Sequence, residues 1–125
     1  MNSQQLQLVN FEQAKRLKQL GFDWETTKYF LNSGTVSTYF NIRLVNWNNH
    51  RRISAPSVAL AIKWFRDVKK LPNCIDWIGG GEYVGGYLHP IYGWCNFLVM
   101  IGYEAAESAL LDELLTIIEK ENENI

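Results

Sequence analysis

The chain has 125 residues, 47% of them hydrophobic and 20% charged, and a net charge of -1. A chain of that length buries about two-thirds of its unfolded surface and needs no disulfide or metal staple. The charge balance excludes a generally basic nucleic-acid coat, and the longest strongly apolar run, FLVMI at 97–101, is far too short to span a bilayer.

In chain order, NFEQAKRLKQLGF predicts a first helix. Asn10 is its N-cap and Gln13 stands in capping-box position. Phe11, Ala14, Leu17 and Leu20 give it an apolar side, and Gly21 stops it. Residues 24–47 are rich in Thr, Tyr, Phe and Val and are interrupted by Ser33-Gly34, the pattern of a β-hairpin. Its second arm alternates: Val36, Thr38, Phe40, Ile42 and Leu44 form the expected core face. Ser37, Tyr39, Asn41, Arg43, Val45 and Trp47 form the other. SAPSVALAIKWFRDVKK predicts a second helix with Pro56 in its first turn and Val58, Ala61, Ile62, Phe65 and Val68 along one stripe. NCIDWI, EYVGGYL and WCNFLVMI are strands, joined by Gly79-Gly80-Gly81 and by HPIYG at 89–93. EAAESALLDELLTIIEKE is the closing helix, with Leu110, Leu111, Leu114, Leu115, Ile117 and Ile118 inside. The order αββαβββα predicts a single α+β domain over 1–125: a mostly antiparallel sheet of about five strands with three helices, fraying at 1–9 and 121–125.

Charge is unevenly spread. From Thr26 to Arg66 there is no Asp or Glu, while Lys28, Arg43, Arg51, Arg52, Lys63 and Arg66 are present. The tail reverses this, with seven acidic residues from Glu104 to Glu123 against Lys120 alone. The basic middle peaks at NNHRRISAPS, residues 48–57. Arg51 and Arg52 offer planar forks for phosphate or carboxylate. The helix start beyond them, with His50, Ser54 and Ser57, offers backbone N–H groups and a positive dipole end. Beside it, the row Tyr39, Arg43, Trp47 suits base stacking with a bridging cation, and Trp77 or Tyr83 adds a further ring. The bland alternative is a solvated loop next to a sheet face covered by a helix.

Other signals are weaker. GGGEYVGGY lacks the lysine of a phosphate loop and reads as turn and bulge glycines. His50, His89, Cys74, Cys95 and Asp76 are the residue types of zinc or nucleophile sites, but none has a recognised spacing. No catalytic residue, metal or cofactor is therefore assigned. The start MNSQQLQLVN lacks the regions of a signal peptide, which points to a cytoplasmic protein with reduced thiols.

Three stretches carry a resemblance. LVNFEQAKRLKQLGFD resembles the L-x-x-x-EQAKRLKELGF start of small accessory proteins from phages and prophages of gut bacteria. ISAPSVALAIKWFRDVKK is similar to their central SAPT-x-x-A-x-KWLRE helix, and GYEAAESALLDELLTIIEK to their closing acidic helix. The likeness covers roughly half the chain, the sheet segments apart. It implies a mobile-element protein in the bacterial host cytoplasm that works by binding. The expectation is a non-enzymatic sponge for an anionic small molecule, a nucleotide signal of host defence, assembled as a homo-oligomer. The first alternative is a protein–protein module that inhibits or recruits a host defence protein. The second is a small hydrolase. Neither a membrane nor extended nucleic acid is an expected partner.

Overall fold

The structure is a computed structural model and describes residues 7–38, 45–49 and 51–123. Helix α1 (Phe11–Gln19) forms where the sequence predicts it, and its ends show why. The Asn10 side chain accepts the Gln13 N–H at 2.8 Å, and the Gln13 side chain accepts the Asn10 N–H at 3.0 Å. Both halves of the capping box are made. At the other end Gly21 has φ +92, and the N–H groups of Gly21 and Phe22 donate to the carbonyls of Lys18 and Leu17. That pairing satisfies two carbonyls the helix itself leaves over.

Strands β1 (Lys28–Leu31) and β2 (Val36–Thr38) are the hairpin arms, turned at Gly34 with φ +92. A third strand, β3 (Arg52–Ser54), lies where the sequence reading has a loop leading into a helix. It pairs antiparallel with β1 on the side away from β2, setting Tyr29 opposite Ser54, Phe30 opposite Ile53 and Leu31 opposite Arg52. Phe30 and Ile53 are buried, and Phe11 of α1 meets the Phe30 ring edge-on at 5.5 Å. Three residues of strand are too few to show a period of 2. Ile53 alone signals this one, and only its partner strand decides it.

Residues 7–9, grouped by the sequence reading with a fraying start, are paired instead. The Val9 N–H donates to Pro56 O, the Val58 N–H donates to Gln7 O, and Leu8 bridges Ser57. Helix α2 (Val58–Asp67) therefore begins two residues after Pro56, which stands before its first turn. Val68, expected on its stripe, lies past its end and is 45% exposed.

The expected strands β4 (Asn73–Gly79), β5 (Glu82–His89) and β6 (Gly93–Ile101) form one antiparallel sheet in that order. Gly79, Gly80 and Gly81 all have positive φ, so the β4–β5 turn requires glycine. Helix α3 (Tyr103–Glu123) packs on this sheet and buries Leu110, Leu111, Leu114, Leu115 and Ile118, each burial worth about 1.5–3 kcal/mol. The fold is α+β with three helices and antiparallel sheets, in the expected order with one short strand added. Among the described residues six strands divide into two three-stranded sheets, and the chain divides into two compact units, residues 1–61 and 62–125. Among the described residues no helix is long and apolar enough to cross a membrane.

Candidate functional site

In unit 1–61 the segment 45–54 is tied together by its own polar groups. The Asn49 side chain accepts the N–H groups of Arg51 (2.8 Å) and Arg52 (2.9 Å), and the Asn49 N–H donates to Arg52 O. Asn48 accepts the Ser54 N–H at 2.8 Å and donates to Phe22 O at 2.7 Å. The Lys18 ammonium donates to the carbonyls of Asn49 and Arg52. The two asparagines therefore shape the turn, and α1 supplies a cation that braces it.

Register places the arginine. Arg52 lies two residues from Ser54, the partner of Tyr29, so Arg52 and Tyr29 are diagonal neighbours on one sheet face. The Arg52 guanidinium carbon sits 4.9 Å from the Tyr29 ring centroid and 5.5 Å from that of Trp47. The two rings lie 4.8 Å apart. Trp47 is locked over this face: its Nε1–H donates to Thr26 O at 2.8 Å and its backbone N–H to Ser54 Oγ at 2.9 Å. Among the described residues neither Arg51 nor Arg52 forms an ion pair.

This geometry revises several expected roles. Trp47 is only 4% exposed, so its ring supports Arg52 and offers no open face to a base. The expected core face is also reversed at both described ends, since Val36 is 44% exposed while Trp47 is buried. Ser54 is buried under Trp47 with its hydroxyl engaged, so it neither caps the helix nor reaches a ligand. Ser57 is the residue that caps α2, accepting the Leu60 N–H at 3.1 Å. With Val58 N–H on Gln7 O as well, the helix start serves the chain's own acceptors and is not an open phosphate cradle. Arg51 is exposed on the turn and Arg52 half-buried. Tyr39, Arg43 and His50 lie outside the described residues. An open hollow in this unit, of about 540 Å³, is lined by Asp23, Trp24, Glu25 and Leu60 and holds neither arginine.

Trp77 and Tyr83 belong to the other unit, 62–125. Trp77 is 68% exposed. Tyr83 is half-buried and meets the Tyr103 ring edge-on at 5.5 Å, so α3 already occupies that ring. This unit also holds a hollow of about 330 Å³ that sequence reasoning missed. Tyr87, His89, Tyr92 and Cys95 line its sheet side, and Glu113, Thr116, Ile117, Lys120 and Glu121 line its α3 side. Tyr87 and Cys95 are cross-strand partners. Burial, then the neighbouring Cys95 and the Glu113 carboxylate, push the Tyr87 hydroxyl above its usual range. Burial, then Asp76, likewise pushes the Cys74 thiol up. A period of 2 does place Tyr87 and His89 on one face, but nothing in the sequence says that α3 closes over it.

Comparisons with protein-family models, with curated proteins and with solved structures find no match to the chain.

Proposed function

We propose that the chain is a non-enzymatic binding protein that captures an anionic small molecule through the turn at residues 48–52. Arg51 and Arg52 are the contacting groups and Lys18 braces the turn. The observation that supports this most is the posture of Arg52. A guanidinium held within cation–π distance of two rings is partly ordered before any ligand arrives, and its planar fork of N–H donors suits an oxyanion. With no carboxylate on that edge among the described residues, a phosphate has no internal competitor to displace. A nucleotide signal is the ligand class that fits the resemblance to phage accessory proteins, with counter-defence as the purpose. Base stacking by Trp47 is no part of this reading.

The test is calorimetric titration of the full chain with cyclic dinucleotides, linear nucleotides and ADP-ribose derivatives. The parent should bind at least one of them. Arg51→Ala/Arg52→Ala should bind it at least about tenfold more weakly, the size of one lost charge-assisted contact, with an unchanged circular dichroism spectrum. Equal binding by the double variant overturns the reading.

A second reading, a module that engages a host protein, draws on a different surface. Leu88 opposes Trp94, and Val84 opposes Val99, on the sheet face away from Tyr87 and His89. Trp94 is 57% exposed, Val99 50% and Ile101 81%. Uncovered apolar side chains in neighbouring rows are what protein contacts use. A pull-down that recovers a partner lost on Trp94→Ser would favour it.

A further inference from the structure

We propose that the hollow between β5–β6 and α3 in unit 62–125 is a binding site for a small organic ammonium ion. On the helix side, Glu113, Ile117 and Glu121 are spaced four apart and form one stripe down α3. Two carboxylates thus flank an isoleucine along one wall. Thr116 lies beside them with its hydroxyl donated to Asp112 O at 3.0 Å. Lys120, seven residues beyond Glu113 and therefore on the same helix face, is exposed at the rim and is outnumbered two to one by the carboxylates. Among the described residues Glu113 has no ion-pair partner.

The opposite wall is aromatic and pre-set. The His89 Nδ1 accepts the backbone N–H groups of Ile91 (3.0 Å) and Tyr92 (3.3 Å). This clamps the β5–β6 turn and leaves the ring proton on Nε2. The Tyr92 ring, 77% exposed, lies 4.6 Å from the imidazole at 35° between planes. A tyrosine ring and carboxylates lining one hollow are the groups that hold alkylammonium ions. The floor agrees in sign. Burial first, then Cys95 and last the Glu113 carboxylate, push the Tyr87 hydroxyl up, and of these Glu113 is the negative charge that attracts a cation. A volume of about 330 Å³ is at the small end for ligand sites and limits the guest to roughly the size of an aryl or alkyl ammonium.

The arginine turn belongs to unit 1–61 and supplies no residue to the lining of this hollow. The full chain is titrated by ligand-observed NMR with benzyltrimethylammonium and with choline, and the neutral isostere 3,3-dimethylbutan-1-ol serves as control. The cations should bind and the isostere should not. Tyr92→Ala changes an exposed residue and Glu113→Gln keeps the shape of the side chain; each should weaken binding about tenfold, the scale of a partly desolvated cation–π or carboxylate contact. Arg51→Ala/Arg52→Ala should bind the ammonium as the parent does. Absence of cation binding, equal binding of the isostere, parent-like affinity in Tyr92→Ala, or loss in the arginine variant each overturns the assignment.

Discussion

Trp47 and Arg52 exchange the roles their residue types suggest. A tryptophan at the end of an alternating run looks like an outward platform, and an arginine in a polar loop looks like a solvated charge. The pairing of β3 with β1 puts Arg52 diagonal to Tyr29, and the bonds from Trp47 to Thr26 and Ser54 seat the indole beneath the guanidinium. The ring is thereby internal and the cation is the surface group. Glu107 is the opposite case, an acid on the buried side of α3, 7% exposed. Burial first, and then the charge of Glu104, raise its carboxyl above the usual range. A folded-state value above the unfolded one means that folding takes up a proton. The resulting stability is fully present below the ordinary carboxylate value and is lost as pH rises through the folded value. Glu107→Gln, neutral at every pH, should therefore melt higher than the parent at about pH 7.5 and level with it near about pH 4. Thermal melts across that window check this, and a variant that melts lower at neutral pH would show that the carboxylate has a stabilising partner.

At the scale of elements, signals confined to a few neighbouring residues were legible. The capping box of α1, the glycine stop at Gly21, the glycine turn of β4–β5 and the leucine face of α3 each depend on residues within about one or two turns of one another. β3 was not legible, because its strand character comes from Phe30 and Tyr29, more than twenty residues earlier in the sequence. The start of α2 differs from the local expectation for a related reason: the chain at 7–9 pairs with Pro56–Val58 and sets where the helix begins. The termini of α1 yield a paired prediction. Asn10→Ala should cost about 1 kcal/mol through the lost cap. Gly21→Ala should cost a similar amount, about 1 kcal/mol, by φ strain alone, since a Cβ there meets nothing within 4 Å. Urea unfolding measures both; a Gly21→Ala variant as stable as the parent would show that the helix end relaxes away from φ +92.

For the molecule as a whole, the near-zero net charge conceals a division along the chain, acid-free from Thr26 to Arg66 and acidic from Glu104 onward. The proposed anion contact lies in the first of these stretches and the carboxylates of the proposed ammonium site in the second, so each ligand class meets the opposite sign of charge. Both contacts should weaken with salt, the arginine turn more steeply because it is open while the hollow is part-enclosed. The Debye length is about 10 Å at 0.1 M, so raising salt from about 0.05 to about 0.3 M should loosen anion binding several-fold and ammonium binding by less. Titrations at both salts check the order, and a reversed order would place the enclosed charge at the arginines.

What the sequence determined by itself was the α+β class, the chain order of the expected elements, the cap of α1, the glycine turns, and the separation of basic from acidic stretches. Each follows from local geometry or from composition. Tertiary structure alone decided that residues 52–54 form a strand and that Trp47 is internal. It also decided that Ser57, rather than Ser54, caps α2, and that Tyr87, His89 and Cys95 face a helical carboxylate stripe across a hollow. Those facts depend on which strand pairs with which and on which face a helix covers. Residues far apart in the chain settle both, through hydrogen-bond register and apolar burial, and neither leaves a periodic trace in the residues concerned.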